Sequence, residues 1–188
     1  MRGKVVILSA PSGSGKTSMV NYLLQQIPSL SFSVSATSRA IRGKEKHGTD
    51  YFFISSEEFR QRIDNNEFLE YEEVYKDCYY GTLKAQVEDL LGKGRNVLFD
   101  VDVQGACNIK KYYGEQALSL FIQPPSIEAL RKRLTGRGTD AAETIENRLA
   151  KAEYELSFAD RADKIVVNNM LETAQKETLQ LVEAFIQR

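Results

Sequence analysis

Val5-Val6-Ile7-Leu8 runs through Ser9 into Ala10-Pro11-Ser12-Gly13-Ser14-Gly15-Lys16-Thr17. The apolar run has the length of a buried strand, and the glycine-rich stretch behind it reads as a loop closing in Gly-Lys-Thr. Gly13 and Gly15 permit turns that aim several backbone N–H groups inward, at phosphate oxygens. Lys16 would reach the β- and γ-phosphates of a nucleoside triphosphate, and the Thr17 hydroxyl would sit on Mg²⁺. A helix starting near Gly15 adds the positive end of its dipole at the same point. Met19, Tyr22 and Leu23 recur at helical spacing just beyond. The plain alternative is a strand–turn–helix corner carrying a chance Gly-Lys-Thr. The preceding strand and the following helix are the context that a phosphate loop requires. Ala10 occupies the position of the first glycine in the pattern, which is tolerable if its φ is negative.

The chain has 188 residues, 42% hydrophobic and 27% charged, which suits one globular domain with room for inserted subdomains. A net charge of −1 provides no overall drive toward nucleic acid or membrane, so anion binding must come from local clusters of Arg and Lys. The apolar runs are of strand length, and no secretory apolar region precedes the first strand. Cys78 and Cys107 lack metal-ligand spacing and read as two free thiols of a cytoplasmic protein.

Beyond the loop, short apolar runs alternate with helical patterns. Strands are expected at Phe32–Ser35, Tyr51–Ile54, Phe68–Val74, Asn96–Asp102, Leu118–Ile122 and Lys164–Asn168. Ser55 with Glu58 makes a capping box ahead of a helix bearing Phe59 and Ile63. Leu83, Val87, Leu90 and Leu91 mark a helix that Gly92 and Gly94 end. Ser126, Ile127, Leu130 and Leu134 begin another, interrupted by Gly136-Arg137-Gly138, and a further helix runs from about Ala141 to Ser157. Asn169 with Glu172 caps a final helix carrying Leu179, Val182 and Ile186. The alternation predicts an α/β fold, a parallel sheet flanked by helices. The strands between about 35 and 82 break it and suggest an inserted small mixed α/β subdomain.

Asp100 and Asp102 lie at the C-terminal end of a buried strand, where ligands of parallel sheets collect. A carboxylate there can hold a Mg²⁺ water shell; the alternative is that the pair caps the next helix. Arg131, Lys132, Arg133, Arg137 and Arg148 cluster after Pro124-Pro125. Arginine suits a migrating phosphate, with a planar fork of donors and a permanent charge. Arg131 and Lys132 read as a solvated helix face, whereas Arg137 and Arg148 read as ligands, with Gly136 and Gly138 as hinges. Arg39, Arg42 and Tyr51 form a second anion-binding candidate. His47, the single histidine, reads as exposed and non-catalytic.

With these residues assembled, the sequence resembles the guanylate kinases, of bacterial type, over essentially the whole chain. The resemblance is carried by Ser9–Thr17; Phe32–Arg39 with Arg42; Gly48-Thr49-Asp50-Tyr51; Phe68-Leu69-Glu70; Tyr79-Tyr80-Gly81-Thr82; Asp100–Gly105; Pro124-Pro125-Ser126; Leu134–Gly138; and Asn147-Arg148-Leu149. It implies a P-loop core (about 1–34, 95–123 and 158–188), a GMP-binding subdomain (about 35–94) and a helical lid (about 124–157). It implies ATP-dependent, Mg²⁺-requiring phosphorylation of GMP, and of dGMP, in purine nucleotide metabolism. Ala10 to Thr17 and Asn168 are then the ATP site. Ser35, Arg39, Arg42, Tyr51 and Tyr80 surround the GMP phosphate. Glu70 and Thr82, with Asp102 beside them, read guanine. Lys16, Arg39, Arg137 and Arg148 serve catalysis, and Thr17 and Asp100 serve the metal. Chemistry supports Glu70: guanine presents N1–H and N2–H₂ side by side, and one carboxylate accepts from both, whereas the N1 of adenine is an acceptor.

Two departures stand out. Ala10 replaces a glycine, and the acidic Glu72-Glu73 with Lys76-Asp77-Cys78 precedes the Tyr-Tyr-Gly-Thr motif, leaving that loop's geometry open. Two rivals remain: a peptide-binding module of guanylate-kinase type, against which the intact Gly13, Gly15, Lys16 and Thr17 speak, and a P-loop kinase for another acceptor, against which Glu70 with Thr82 speaks.

Overall fold

The computed structural model describes residues 2–136 and 142–188. Its main sheet has five strands in the order β2-β7-β1-β8-β9: β1 (Val5–Ser9), β2 (Leu30–Phe32), β7 (Asn96–Asp100), β8 (Ala117–Gln123) and β9 (Lys164–Val167). All four pairings are parallel, with Leu8 opposite both Asp100 and Leu120. β1 is central and every one of its residues is buried, which is why it reads as an uninterrupted apolar run. Its side chains still alternate. Val6 and Leu8 join Met19 and Leu23 of α1 (Lys16–Gln26) and Val182 of α7 (Leu171–Ile186) on one face. Val5 and Ile7 join Val87 and Leu91 of α3 (Lys84–Gly92) and Ile109 of α4 (Val103–Tyr113) on the other.

The second sheet runs β4-β3-β6-β5, from β3 (Ala36–Thr37), β4 (Phe52–Phe53), β5 (Phe68–Tyr75) and β6 (Cys78–Leu83). It is mixed, with β3 parallel to β4 and antiparallel to β6, and β5 antiparallel to β6. It has a core of its own. Phe59, on α2 (Ser56–Asp64), stacks at 4.3 Å on Phe68 and at 5.1 Å on Tyr79. The segment that departs from the family pattern is a tight hairpin: Tyr75 pairs with Cys78, and Asp77 takes a positive φ of 61°. Both Ser38 Oγ and Ser56 Oγ donate to the Asp77 carbonyl at 2.8 Å, so two other segments tie the turn down. The register shifts between Glu73 and Tyr75 and again between Phe68 and Glu70, and in the regular stretch between them Glu70 lies opposite Thr82. A third apolar cluster joins α5 (Ile127–Gly136) to α6 (Ala142–Leu156) through Leu130, Leu134, Ile145 and Leu149.

Four details differ from the sequence reading. The strand expected at Phe32–Ser35 is two strands, β2 ending at Phe32 and β3 starting at Ala36, with residues 33–35 outside both as the chain passes from one sheet to the other. β7 ends at Asp100, not Asp102, because Asp102 is the N-cap of α4 and accepts from the Gly105 N–H at 2.7 Å. The capping alternative therefore holds for Asp102. α4 itself was not expected, although Val103, Ala106, Ile109 and Tyr113 recur at helical spacing along it. Nor does Asn169 cap the last helix. It is committed to a turn, its N–H on the Val167 carbonyl at 3.1 Å, and Met170 takes the cap position without a side-chain bond. At α2 the Ser55 hydroxyl does accept from the Glu58 N–H, while the Glu58 carboxylate turns to Arg62.

Candidate active site

The carboxyl ends of β1 and β7 open onto one cleft. Gly13 and Gly15 sit there with φ of 87° and 92°, conformations that side chains resist, and the Ser14 N–H closes a turn on the Pro11 carbonyl at 3.1 Å. Ala10 is not among the described non-glycine residues with positive φ, and its Cβ is buried in the main core. The missing glycine is thus paid for by packing rather than by strain.

Asn168 underlies the loop. Its Nδ2 donates to the Ser14 carbonyl at 2.8 Å, and a Cβ at Gly15 would lie 2.5 Å from that nitrogen. Its own carbonyl accepts from Arg133 Nη2 at 2.7 Å, so one residue links α5 to the loop. Asn168 is 3% exposed, so it meets the loop backbone and not the open cleft. Its Oδ1 and the Ser14 hydroxyl are buried with no hydrogen-bond partner among the described residues.

Lys16, the first residue of α1, places Nζ 2.7 Å from the Asp100 carboxylate and 2.9 Å from the Val101 carbonyl. Thr17 follows, exposed at the mouth of the cleft. The cleft holds about 370 Å³ between the loop, Asp102 and Glu155. A neighbouring cleft of about 370 Å³ is lined by Glu70, Gln104 and Lys151, and again by Asp102 and Glu155. The two shared residues make them adjoining halves of one site.

In the second half, Thr82 donates its hydroxyl to Glu70 Oε1 at 2.6 Å. Burial pushes the Glu70 carboxyl above its ordinary range, against the pull of that hydrogen bond, and the charge of Asp102 pushes the same way as burial. Above the small sheet, Arg39 is gathered with the aromatic residues. Its Nε donates to Tyr80 OH at 2.9 Å, and its guanidinium lies 5.0 Å from the Tyr51 ring centre and 5.6 Å from that of Phe53. Ser35 anchors this edge through its carbonyl, which accepts from the Phe52 N–H at 2.9 Å.

Arg42 lies exposed in the same loop, and Arg148 half-buried on α6. Arg137 lies outside the described residues. Arg131 pairs with Glu146 across the α5–α6 hairpin, in keeping with a surface role. His47 is exposed and its Nδ1 accepts from the Phe53 N–H at 3.2 Å. Cys78 and Cys107 are free.

Glu155 and Glu45 escaped the sequence reading at the site, and Arg133, read there only as a member of a basic cluster, has a specific partner. Glu155, 6% exposed, is pushed upward in pKa by burial, against Lys151, Lys16 and the Ser12 N–H, which favour its charge. Glu45 pairs with Arg39, and Arg133 holds Asn168. Glu155 had a visible signal, its spacing of four from Lys151 and seven from Arg148 on a helix. Glu45 had none, because a polar loop has no period.

The guanylate kinase family model matches residues 2–185. The chain belongs to the guanylate kinase family. It is similar to a guanylate kinase of Bacteroides thetaiotaomicron, 65% identical over all of this chain and 92% of that one. A guanylate kinase of Bacteroides fragilis is 67% identical over 97% of this chain and 90% of its own length. Among solved structures, the crystal structure of guanylate kinase from Anaplasma phagocytophilum matches with a TM-score of 0.75 and 33% identity, covering 100% of this chain and 88% of the other. As a guanylate kinase the chain is a nucleotide-binding transferase that phosphorylates GMP to GDP with ATP. Among its described residues, no helix is long and apolar enough to cross a membrane.

Proposed function

We propose that the two adjoining clefts divide the reaction between them, with ATP on the phosphate loop and GMP against Glu70. The shared border at Asp102 and Glu155 carries this reading, since phosphoryl transfer requires the two substrates to meet. The backbone N–H groups of residues 10–17, Pro11 excepted since it has none, and the Lys16 ammonium hold the triphosphate. Arg39, Arg42, Tyr51, Tyr80 and Ser35 hold the GMP phosphate. Glu70 accepts from guanine N1–H and N2–H₂, while Thr82, hydrogen-bonded to the same carboxylate, fixes its rotamer. AMP would bring an acceptor against that carboxylate, so discrimination includes a penalty. dGMP carries the same guanine and the same phosphate, so on this reading it is a substrate too.

The GMP phosphate is already anionic and needs no general base. Its oxygen attacks the γ-phosphorus in line as the bond to the bridging oxygen of ADP breaks. Lys16, Arg39, Arg137 and Arg148 balance charge on the transferring group. On this reading Lys16 leaves Asp100 for the phosphates. Thr17 and Asp100 fit Mg²⁺, which takes few protein ligands and completes its shell from water and phosphates. When bound, the ion would neutralise charge on the β- and γ-oxygens. The three apolar clusters support the division into core, GMP-binding part and lid. The two free thiols suit a reducing, cytoplasmic setting.

Coupled ADP-release assays across nucleoside monophosphates test the assignment. GMP and dGMP should turn over, with AMP, CMP and UMP near background. Comparable rates with AMP would remove Glu70 from guanine recognition.

A further inference from the structure

Arg39 carries five N–H donors. Four are already committed within the protein. Nε donates to Tyr80 OH at 2.9 Å, Nη1 to the Ala40 carbonyl at 2.9 Å and to Glu45 Oε2 at 2.7 Å, and Nη2 to Glu45 Oε1 at 2.7 Å. Glu45 therefore grips the guanidinium end-on. The one remaining hydrogen is on Nη2, along the same edge as the Nε–H that reaches Tyr80. With its flat face over Tyr51 and Phe53, the guanidinium is fixed in plane and in rotation.

The carboxylate also shapes the backbone beside it. Glu45 Oε2 accepts from the Arg42 N–H at 2.8 Å, and the Glu45 N–H donates to the Arg42 carbonyl at 3.1 Å. One side chain thus closes the turn that bears Arg42 and aims Arg39.

We propose that Glu45 is a positioning residue for GMP: it holds the far end of Arg39 so that the Nε edge, with Tyr80, faces the GMP phosphate. The inference rests on the reading of Arg39 as a ligand of that phosphate. Glu45 acts through Arg39 and does not touch the substrate, since a carboxylate repels a phosphate. The Arg39 hydrogen bonds, joined by the Arg42 N–H, bring its pKa down to about 2, so it keeps its charge throughout the working range. Preorganisation of this kind lowers KM by removing the need to order a long side chain on binding.

A double-mutant cycle tests it, using Glu45→Ala, Arg39→Ala, the double variant and the conservative Glu45→Gln, with melting temperatures as a check on folding. Glu45→Ala should raise the KM for GMP about tenfold and change the KM for ATP less than twofold. Glu45→Gln keeps one acceptor oxygen and the side-chain shape, and should fall between it and the parent. On the Arg39→Ala background, Glu45→Ala should add less than about twofold, because its partner is gone. If Arg39→Ala weakens GMP but Glu45→Ala does not, the positioning role is overturned and the phosphate site stands. If Glu45→Ala lowers the KM for GMP, the carboxylate competes with the phosphate and the proposal fails. A full, additive effect of Glu45→Ala on the Arg39→Ala background would make it a general loop residue, which also overturns the proposal. If Arg39→Ala leaves GMP untouched, the underlying reading of the site is lost as well.

Discussion

The two phosphate sites proposed for this kinase solve one problem in opposite ways. At the loop, the proposed ligands are eight consecutive residues between a fully buried strand and the first turn of a helix. Above the small sheet, the ligands come from separate segments, with Arg39 and Tyr80 brought together by the pairing of β3 with β6. Yet each key cation is held by a carboxylate at 2.7 Å: Lys16 by Asp100, and Arg39 by Glu45. The difference lies in which carboxylate gives way. Asp100 holds Lys16 through one oxygen, at a point where the ammonium can swing to a phosphate. Glu45 holds Arg39 through both oxygens and is itself fastened to the Arg42 backbone. One cation is parked, and the other is mounted.

Substitutions can break this comparison on either side. The largest effect is expected from Lys16→Met, which should lower kcat by roughly a thousandfold, the scale seen when a charge-stabilising donor is removed. Its circular dichroism should be unchanged, since Lys16 is half-exposed; turnover within tenfold of the parent would take the loop out of the mechanism. Gly15→Ala comes next. It forces a side chain into φ 92° and drives a Cβ toward Asn168 Nδ2, strain of about 1–3 kcal/mol before any distortion of the loop. A loss of about a hundredfold in kcat/KM for ATP, with a lower melting temperature, should result.

Glu70→Gln should act on the other side, raising the KM for GMP about thirtyfold while sparing ATP. Its pH behaviour carries a sign. Burial raises the Glu70 pKa, so the carboxylate is lost on acidification earlier than an ordinary glutamate near 4.3. Because the folded-state pKa lies above the unfolded one, ionising Glu70 opposes folding, and that contribution to stability is lost as pH rises through the folded value. In the parent, kcat/KM for GMP should therefore fall on the acid side with two limbs, one from Glu70 and one from the GMP phosphate near about 6. The variant should keep only the phosphate limb and melt slightly higher at neutral pH. Retention of both limbs would show that another group reads the base. The smallest effect belongs to Asn168→Ala, which leaves the Ser14 carbonyl without its donor. A rise of about fivefold in the KM for ATP is expected, with GMP unaffected, since one buried hydrogen bond is worth about 1 kcal/mol.

How much of this was readable beforehand follows from the range of each interaction. β1, the loop and α1 are contiguous and their chemistry is local, so spelling suffices. β8, α2 and α6 were visible because apolar side chains repeat with the period of their element. α4 was missed because its start sits directly behind a buried strand, where Asp102 reads equally well as the last strand residue or as a cap. The pairing of Glu70 with Thr82 came from resemblance; in the molecule it comes from a hairpin register that Asp77, at a positive φ, closes. Glu45 lies in an aperiodic loop and Arg133 bonds a residue far along the chain, and neither situation leaves a pattern, whereas the helical spacing of Glu155 from Lys151 and Arg148 was there to be read.

The sequence by itself determined a glycine-rich loop between a strand and a helix, a parallel α/β core and the family, because close-range backbone chemistry and periodic burial are written residue by residue. Only the tertiary structure decided that the two clefts share Asp102 and Glu155, that Asn168 joins α5 to the loop, and that Glu45 mounts Arg39. Each of these is a hydrogen bond, ion pair or shared wall between groups brought together by chain folding, and such placement is fixed by how strands pair and helices pack, not by the identity of any one residue.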